Sequence, residues 1–254
     1  MPPVPPLPAS LSLVIPCYNE ATRVPLMMGG LDNFLNAHDK SVEVIIVDDG
    51  SRDDTHAIIE AHPVFQTNQS RMRVVRQANT GKGGALANGV SVAGGDYILT
   101  LDADMATPPA ELHNWLNLLD GNWPADTVLI GSREHTKSVI RKEGDRKLAG
   151  NIFNQVIRAA TPLKRLRDTQ CGFKLYPGPA ARAIFAKLRT PGWAHDVEIL
   201  WRAQNAGLDI REMPITWRAV EGSKINVVAD GIRMFREVLS IRGLLRRENK
   251  KASS

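Results

Sequence analysis

Between residues 11 and 130 the chain repeats one pattern: a short apolar run, a polar or acidic stop, then a stretch long enough for a helix. The runs are Leu11 to Pro16 (LSLVIP), Val42 to Asp48 (VEVIIVD), Met72 to Val75, Tyr97 to Leu101 and Val128 to Ile130. Runs this short and this rich in β-branched residues suit strands buried on both faces. Asn19 and Glu20 open a helical stretch after the first run. Asp53 and Asp54 stand where a helix should begin after the second, and Gly81-Lys82-Gly83-Gly84 leads into a small-residue helix after the third. Strands alternating with helices predict an α/β fold, with a mainly parallel sheet flanked by helices. In such sheets ligands bind beyond the carboxyl ends of the strands. The polar clusters Tyr18-Asn19-Glu20, Asp48-Asp49-Gly50-Ser51 and Asp102-Ala103-Asp104 fall at those ends.

The second half is less regular. Arg141 to Ala160 reads as a basic helical region, Thr169 to Tyr176 as a short strand, His195 to Asn205 as a helix closed by Gly207, and Ile210 to Trp217 as a last strand. From Lys224 to Leu245 apolar residues recur at helical spacing in two stripes. One holds Ile225, Val228, Ile232, Phe235 and Leu239; the other holds Val227, Met234, Val238, Ile241 and Leu245. Arginines lie among them. The expected organisation is a disordered lead-in over 1–10, a catalytic domain over 11–222, an amphipathic C-terminal helix over 223–247 and a basic tail over 248–254.

Cys17 and Cys171 are the only cysteines, without metal-like spacing, so a disulfide scaffold is not expected and a reducing compartment fits. The formal net charge of +5 suits phosphate-bearing ligands or an anionic surface. No basic-aromatic platform appears, which argues against nucleic acid. The proline-rich start, Met1 to Pro8, has neither the basic region nor the apolar run of a signal peptide. No stretch reaches the roughly 20 apolar residues that span a bilayer.

Asp102-Ala103-Asp104 carries the strongest chemical signal. Two carboxylates at a strand end can grip Mg²⁺ or Mn²⁺, which take hard oxygen ligands, and the metal can bridge a diphosphate. Asp48 and Asp49 offer carboxylates to a base or ribose, although Asp-Gly-Ser also makes an ordinary turn. Gly81-Lys82-Gly83-Gly84 lacks the residues of a Walker A loop and of a dinucleotide fingerprint. It reads as a tight loop that lets a helix pack closely, with Lys82 near a phosphate.

Taken in order, Val14-Ile15-Pro16-Cys17-Tyr18-Asn19-Glu20, the Val-Asp-Asp-Gly-Ser segment and Asp102-Ala103-Asp104 resemble glycosyltransferase family 2. Asp168-Thr169-Gln170-Cys171-Gly172-Phe173-Lys174-Leu175, Trp193-Ala194-His195-Asp196-Val197-Glu198 and Glu221-Gly222-Ser223-Lys224 are similar to segments of dolichyl-phosphate β-glucosyltransferases, with dolichyl-phosphate mannosyltransferases as close relatives. The resemblance spans about residues 11 to 245. It implies a GT-A fold, a divalent cation and inversion at the anomeric carbon. Carried over by position, Pro16, Tyr18, Glu20 and Asp48 line the nucleotide pocket, to which Asp102 and, from the glycine loop, Lys82 are added as nucleotide-sugar ligands. Asp102 and Asp104 hold the metal and diphosphate, and Arg133 and Arg146 hold the acceptor phosphate. Ala106 stands at the family's third metal-ligand position and cannot ligate through its side chain. Gly150 replaces a serine of the mannosyl relatives, which favours the glucosyl subgroup.

The reaction so implied moves glucose from UDP-glucose to a polyprenyl phosphate. GDP-mannose is the alternative donor, and a hydroxyl the alternative acceptor. A phosphate monoester has a second pKa near 6 and attacks without a strong general base. A hydroxyl acceptor would need one, and Asp196 is the candidate. Lys224 sits in a loop expected to close over the donor and meet phosphate. The C-terminal stripes and arginines predict an amphipathic segment either resting on anionic lipid or packed on the domain. A cytoplasmic protein, peripheral on the inner face of the membrane, is the expected location.

Overall fold

A computed structural model of the chain describes residues 5–38, 41–141, 161–192, 194–219, 237–245 and 247–248. Five parallel strands and their helices follow the expected order: β1 Leu11–Cys17, α1 Val24–Ala37, β2 Val42–Asp48, α2 Thr55–Ala61, α3 Pro63–Thr67, β3 Met72–Arg76, α4 Lys82–Val92, β4 Tyr97–Thr100, α5 Glu111–Leu118 and β5 Thr127–Ser132. Beyond them lie β6 Val139–Arg141, β7 Lys174–Pro177, α6 Gly178–Phe185, α7 His195–Asn205, β8 Asp209–Pro214 and β9 Thr216–Arg218. Residues 237–245 are helical.

The main sheet has seven strands in the order β3-β2-β1-β4-β7-β5-β8. All neighbours run parallel except β7, which is antiparallel to both β4 and β5. Strand order reverses between β1 and β4, so the connections leave in opposite directions and open a crevice at the strand ends. Alternation along β1 and β2 sorts their side chains between the two faces. Leu11, Leu13, Ile15, Val44 and Ile46 pack with Met27, Leu31 and Phe34 of α1 and with Leu112, Trp115 and Leu116 of α5. Val14, Ile45 and Val47 pack with Ala85, Leu86 and Val90 of α4 and with α6 and α7. Each such side chain contributes about 1.5–3 kcal/mol when fully buried. α4 lies close on the sheet because Gly89 faces the Val14 side chain, where a Cβ would collide.

Two expectations need correction. The run Ile210 to Trp217 is not one strand. It breaks at Ile215, with β8 closing the main sheet and β9 pairing with β6 in a separate two-stranded sheet. The break follows Pro214, which has no N–H to give a ladder. The strand expected over Thr169 to Tyr176 shrinks to β7, because the residues before it form a loop at the strand ends, where Gln170, Cys171 and Gly172 line the cleft described below. Of the basic helical region expected over Arg141 to Ala160, Arg141 is instead the last residue of β6, and 142–160 lie outside the described residues.

The C-terminal helical segment packs on the domain where it is described. Val238, Ile241 and Leu245 are buried in the core formed with α7, whereas Leu239 of the other stripe is 46% exposed. Arg202 of α7 ties this segment to the core by pairing with Glu198 at 2.8 Å and Glu248 at 2.8 Å. No described helix is long and apolar enough to cross a membrane.

Candidate active site

β1, β2 and β4 end at one rim, since Cys17 is in register with Asp48 and Val14 with Thr100. The tails of β1 and β2 are laced together. The Asn19 N–H donates to Ser51 Oγ at 3.0 Å, and the Arg52 N–H donates to Asn19 Oδ1 at 2.8 Å. The Glu20 N–H donates to Thr55 Oγ1 at 2.8 Å. Asn19 has φ +53, a left-handed turn that asparagine tolerates better than most residues. Tyr18 is left 38% exposed at this rim, and Glu20 is paired with Arg23 at 3.0 Å. Pro16 is half-buried just before it.

The two adjacent aspartates of β2 have different jobs. Asp49 accepts from the backbone N–H of Thr80 and Gly81, each at 2.8 Å, and from Gln77 Nε2 at 2.7 Å. It therefore shapes the loop before α4. Asp48 is fully buried, and its Oδ1 accepts the Ser51 N–H at 2.9 Å. Its Oδ2 has no hydrogen-bond partner among the described residues. Oδ2 faces Arg76 Nε at 3.5 Å and His56 Nδ1 at 3.9 Å, ion-pair contacts that leave it able to take a hydrogen bond from a ligand.

Lys82 opens α4, and its Nζ lies 2.5 Å from Asp102 Oδ1. Burial opposes the charge on Lys82, but Asp102 and then Asp196 hold it protonated above its ordinary range. Asp102 responds in the opposite sense: burial would raise its pKa, yet Lys82 holds it low. The loop that presents Lys82 depends on its glycines. Gly81 has φ +90, and a Cβ on Gly83 would lie 2.6 Å from His195 Cβ. This is the close packing expected of the segment, with α7 as the partner.

Asp104 is half-buried and accepts the Ala106 N–H at 3.0 Å. Burial first and the neighbouring Asp102 second push its carboxyl above the usual range. Met105 follows at φ +54, outside the region that most residues adopt, and its thioether packs against α1 at Gly30. The carboxylate of Asp102 lies directly over Gly172, where a Cβ would collide with it. The backbone of Gly172 is not in the left-handed region, so alanine would fit the chain and displace only Asp102. Gly172→Ala is therefore expected to lower kcat by roughly 10²-fold, the cost of about 1 Å of misplacement at a reacting centre. Unchanged kcat in a steady-state assay would count against this placement of Asp102.

β7 brings the downstream motif to the same rim because it runs antiparallel. Its first residue, Lys174, lies in register with Thr100 of β4 and Ile130 of β5. Lys174 is fully buried, and its Nζ donates to the Cys171 carbonyl at 2.5 Å and to Asp196 Oδ1 at 2.6 Å. Asp196 sits in the first turn of α7, where the helix dipole favours an anion. Burial alone would raise its pKa; His195, Lys174 and Lys82 together hold it below the carboxylate range. His195 is itself pushed down by burial, so the positive charges that face Asp196 are the ammonium groups of Lys174, at 2.6 Å, and Lys82. Asp196 is thus a committed carboxylate and a weak base.

Arg133, just past β5, is clamped by Asp168. Its Nε donates to Oδ2 at 2.7 Å, its Nη2 to Oδ1 at 2.8 Å and its backbone N–H to Oδ2 at 2.9 Å. Arg133, Asp102, Asp104, Thr107, Gln170 and Phe173 line one cleft. The structure thus gathers Pro16, Tyr18, Glu20, Asp48, Lys82, Asp102, Asp104, Arg133 and Asp196 around the strand ends. Arg146 and Lys224 lie outside the described residues. Lys174, Asp168, Gln170 and Thr107 were given no separate role from sequence. A lysine between Phe173 and Leu175-Tyr176 was the one local signal, since a charge in an apolar run must find a partner.

The glycosyl transferase family 2 profile matches residues 12–185, more than half of the chain. Curated relatives named dolichyl-phosphate beta-glucosyltransferase include one from Homo sapiens, 36% identical over 244 residues, covering 91% of this chain and 74% of the relative. Those from Saccharomyces cerevisiae and Dictyostelium discoideum are 35% and 33% identical, each over 91% of this chain and 74% and 73% of their own. Among solved structures, glucosyl-3-phosphoglycerate synthase from Mycobacterium tuberculosis aligns with a TM-score of 0.67 at 21% identity, covering 93% of this chain and 80% of that one. That crystal holds Mn²⁺, UDP-glucose and phosphoglyceric acid. With a mainly parallel sheet between helices and this likeness, the fold is GT-A, and the chain belongs to glycosyl transferase family 2.

Proposed function

We propose that this protein transfers glucose from UDP-glucose to a polyprenyl phosphate, with inversion at the anomeric carbon. One observation carries the reading: Arg133 is fixed in the cleft that Asp102 and Asp104 line from the β4 side. An acidic pair suits a metal-bound diphosphate, and a braced guanidinium suits a phosphate acceptor. The relatives' names, at 33–36% identity over 91% of the chain, support the same sugar and acceptor.

In this reading the nucleotide lies along the ends of β1 and β2. Tyr18 offers its exposed ring to the base, Asp48 Oδ2 takes a donor from the nucleoside, and Pro16 and Glu20 close the pocket. Lys82 faces the diphosphate. Asp102 and Asp104 fit a divalent cation, Mg²⁺ or Mn²⁺: two carboxylates with substrate phosphates and water complete such a sphere. When bound, the metal would neutralise charge on the departing UDP.

On the other flank, Arg133 holds the acceptor phosphate; Arg146 and Lys224 are assigned to the same phosphate from the sequence alone. A phosphate oxygen bonds to the anomeric carbon as the bond to UDP breaks, and UDP leaves with the electron pair. No proton has to be removed, because the acceptor is already ionised near neutral pH. Asp196 fits this chemistry better than that of a hydroxyl acceptor, since Lys174 occupies it and keeps it from acting as a strong base. The lipid tail requires work at a membrane surface, and the exposed Leu239 beside Arg242 and Arg247 supports peripheral contact with an inner, cytoplasmic leaflet. The lead-in over 1–10, the catalytic domain over 11–222 and the C-terminal helix over 223–247 are proposed as the functional units.

The test is transfer from labelled UDP-glucose and GDP-mannose, in parallel, to polyprenyl phosphate in detergent, with Mg²⁺, Mn²⁺ or a chelator. Chelator-sensitive labelling of the lipid from UDP-glucose is expected. Labelling from GDP-mannose alone would reassign the donor, and no labelled lipid from either would overturn the acceptor.

A further inference from the structure

We infer that Thr107 and Gln170 form, with Arg133, a three-donor cradle for the acceptor's phosphate, and that Asp168 is the positioning residue that aims the arginine. The inference rests on the reaction proposed above and extends it to residues that carry no assigned role. Thr107 is 7% exposed, and its Oγ1 has no hydrogen-bond partner among the described residues. The amide Nε2 of Gln170 is buried and equally unpartnered among them. Both residues line the cleft with Arg133, Asp102 and Asp104. Unpaired buried polar atoms are rare enough to need an explanation, and two in one cleft beside a guanidinium point to a missing acceptor.

The placement decides what that acceptor is. β4 carries the aspartate pair; on its one side stand β1 and β2 with the nucleotide residues, on its other β7 and β5. Gln170 precedes β7 and Arg133 follows β5, so two of the three donors sit on the flank away from the nucleotide. Thr107 reaches the cleft from the turn just past Asp104.

Asp168 gives Arg133 its direction. It is 1% exposed, holds Nε and Nη2 together, and is itself fixed by the Gln170 N–H donating to Oδ1 at 3.1 Å. The carboxylate that aims Arg133 thus also sets the backbone of Gln170. With its charge matched by Asp168, the guanidinium selects by the direction of its remaining N–H groups, and Thr107 and Gln170 supply the other contacts.

The variants Thr107→Val and Gln170→Leu remove the donors with little change of volume. Each is expected to raise the KM for polyprenyl phosphate about 10-fold, with the KM for UDP-glucose unchanged. Asp168→Asn should raise the acceptor KM further. Binding of farnesyl phosphate, measured without donor, gives a readout independent of turnover and should weaken in parallel, while UDP binding with Mn²⁺ stays intact and shows the fold is kept. An unchanged acceptor KM and unchanged farnesyl phosphate binding in both Thr107→Val and Gln170→Leu would overturn the cradle. So would a rise confined to the UDP-glucose KM. Should the unaltered protein bind farnesyl phosphate, lose that binding in the variants and yet label no lipid, the cradle stands and the proposed transfer fails.

Discussion

Asp104→Asn is expected to lose transfer by on the order of 10³-fold while leaving the protein as stable as before, or more so. The loss follows from the proposed site: Asp104 would hold, with Asp102, a divalent cation that would supply several kcal/mol of charge stabilisation, and about 4 kcal/mol corresponds to 10³ in rate. The stability argument is independent. Burial and Asp102 raise the pKa of Asp104 in the folded state, so its ionised form is disfavoured there relative to the unfolded chain. For a carboxyl whose folded pKa is raised, stability falls as pH climbs from the unfolded value through the folded one, and the cost persists at pH 7. Asparagine removes the charge and still accepts the Ala106 N–H that Asp104 accepts at 3.0 Å. Urea denaturation at pH 7 beside a transfer assay checks both halves. Full activity in the variant would end the metal assignment, and a large loss of stability would contradict the electrostatic one.

Lys174→Met should destabilise the fold by roughly 3–5 kcal/mol, the cost of leaving a buried charge without its partner. Lys174 and Asp196 have side chains 1% and 8% exposed and meet at 2.6 Å. Remove the lysine, and Asp196 keeps its helix turn but loses the ammonium that it contacts directly. The Cys171 carbonyl loses its donor as well. The double variant Lys174→Met/Asp196→Leu removes both charges and should recover much of the loss, since replacing a whole buried pair by apolar groups is often neutral. Denaturant midpoints at constant slope give both numbers. A single variant within about 0.5 kcal/mol of the parent would show that this pair is solvated and does not anchor the rim.

Much of the fold was legible because the chain states it locally. The five runs are short and mostly apolar, which marks strands, and all but the edge strand β3 are largely buried; the glycines at 81–84 forecast a helix start that packs tightly. His195 to Asn205 was readable as a helix by its closing glycine, and Gly207 indeed has φ +81. Where the reading slipped, local pattern was ambiguous. Ile210 to Trp217 is one apolar-tinged run, yet Pro214 forces the ladder to end and hands Thr216–Arg218 to a different sheet.

The acidic half of the site was also written in the sequence. Strand ends must deliver their last residues to one rim, so Asp48, Asp102 and Asp104 were placed together by the repeat alone. What no local pattern specified was the direction of β7. Because it inserts antiparallel between β4 and β5, the loop before it, not the one after, reaches the rim. That single reversal puts Asp168 against Arg133, Gln170 into the cleft, Gly172 beneath Asp102 and Lys174 against Asp196. These contacts join residues 22 to 70 positions apart in the chain, as for Lys174–Asp196 and Asp102–Gly172. Sequence determined which groups the protein carries and where its strands end; strand direction, a property of the assembled sheet, decided which of those groups meet.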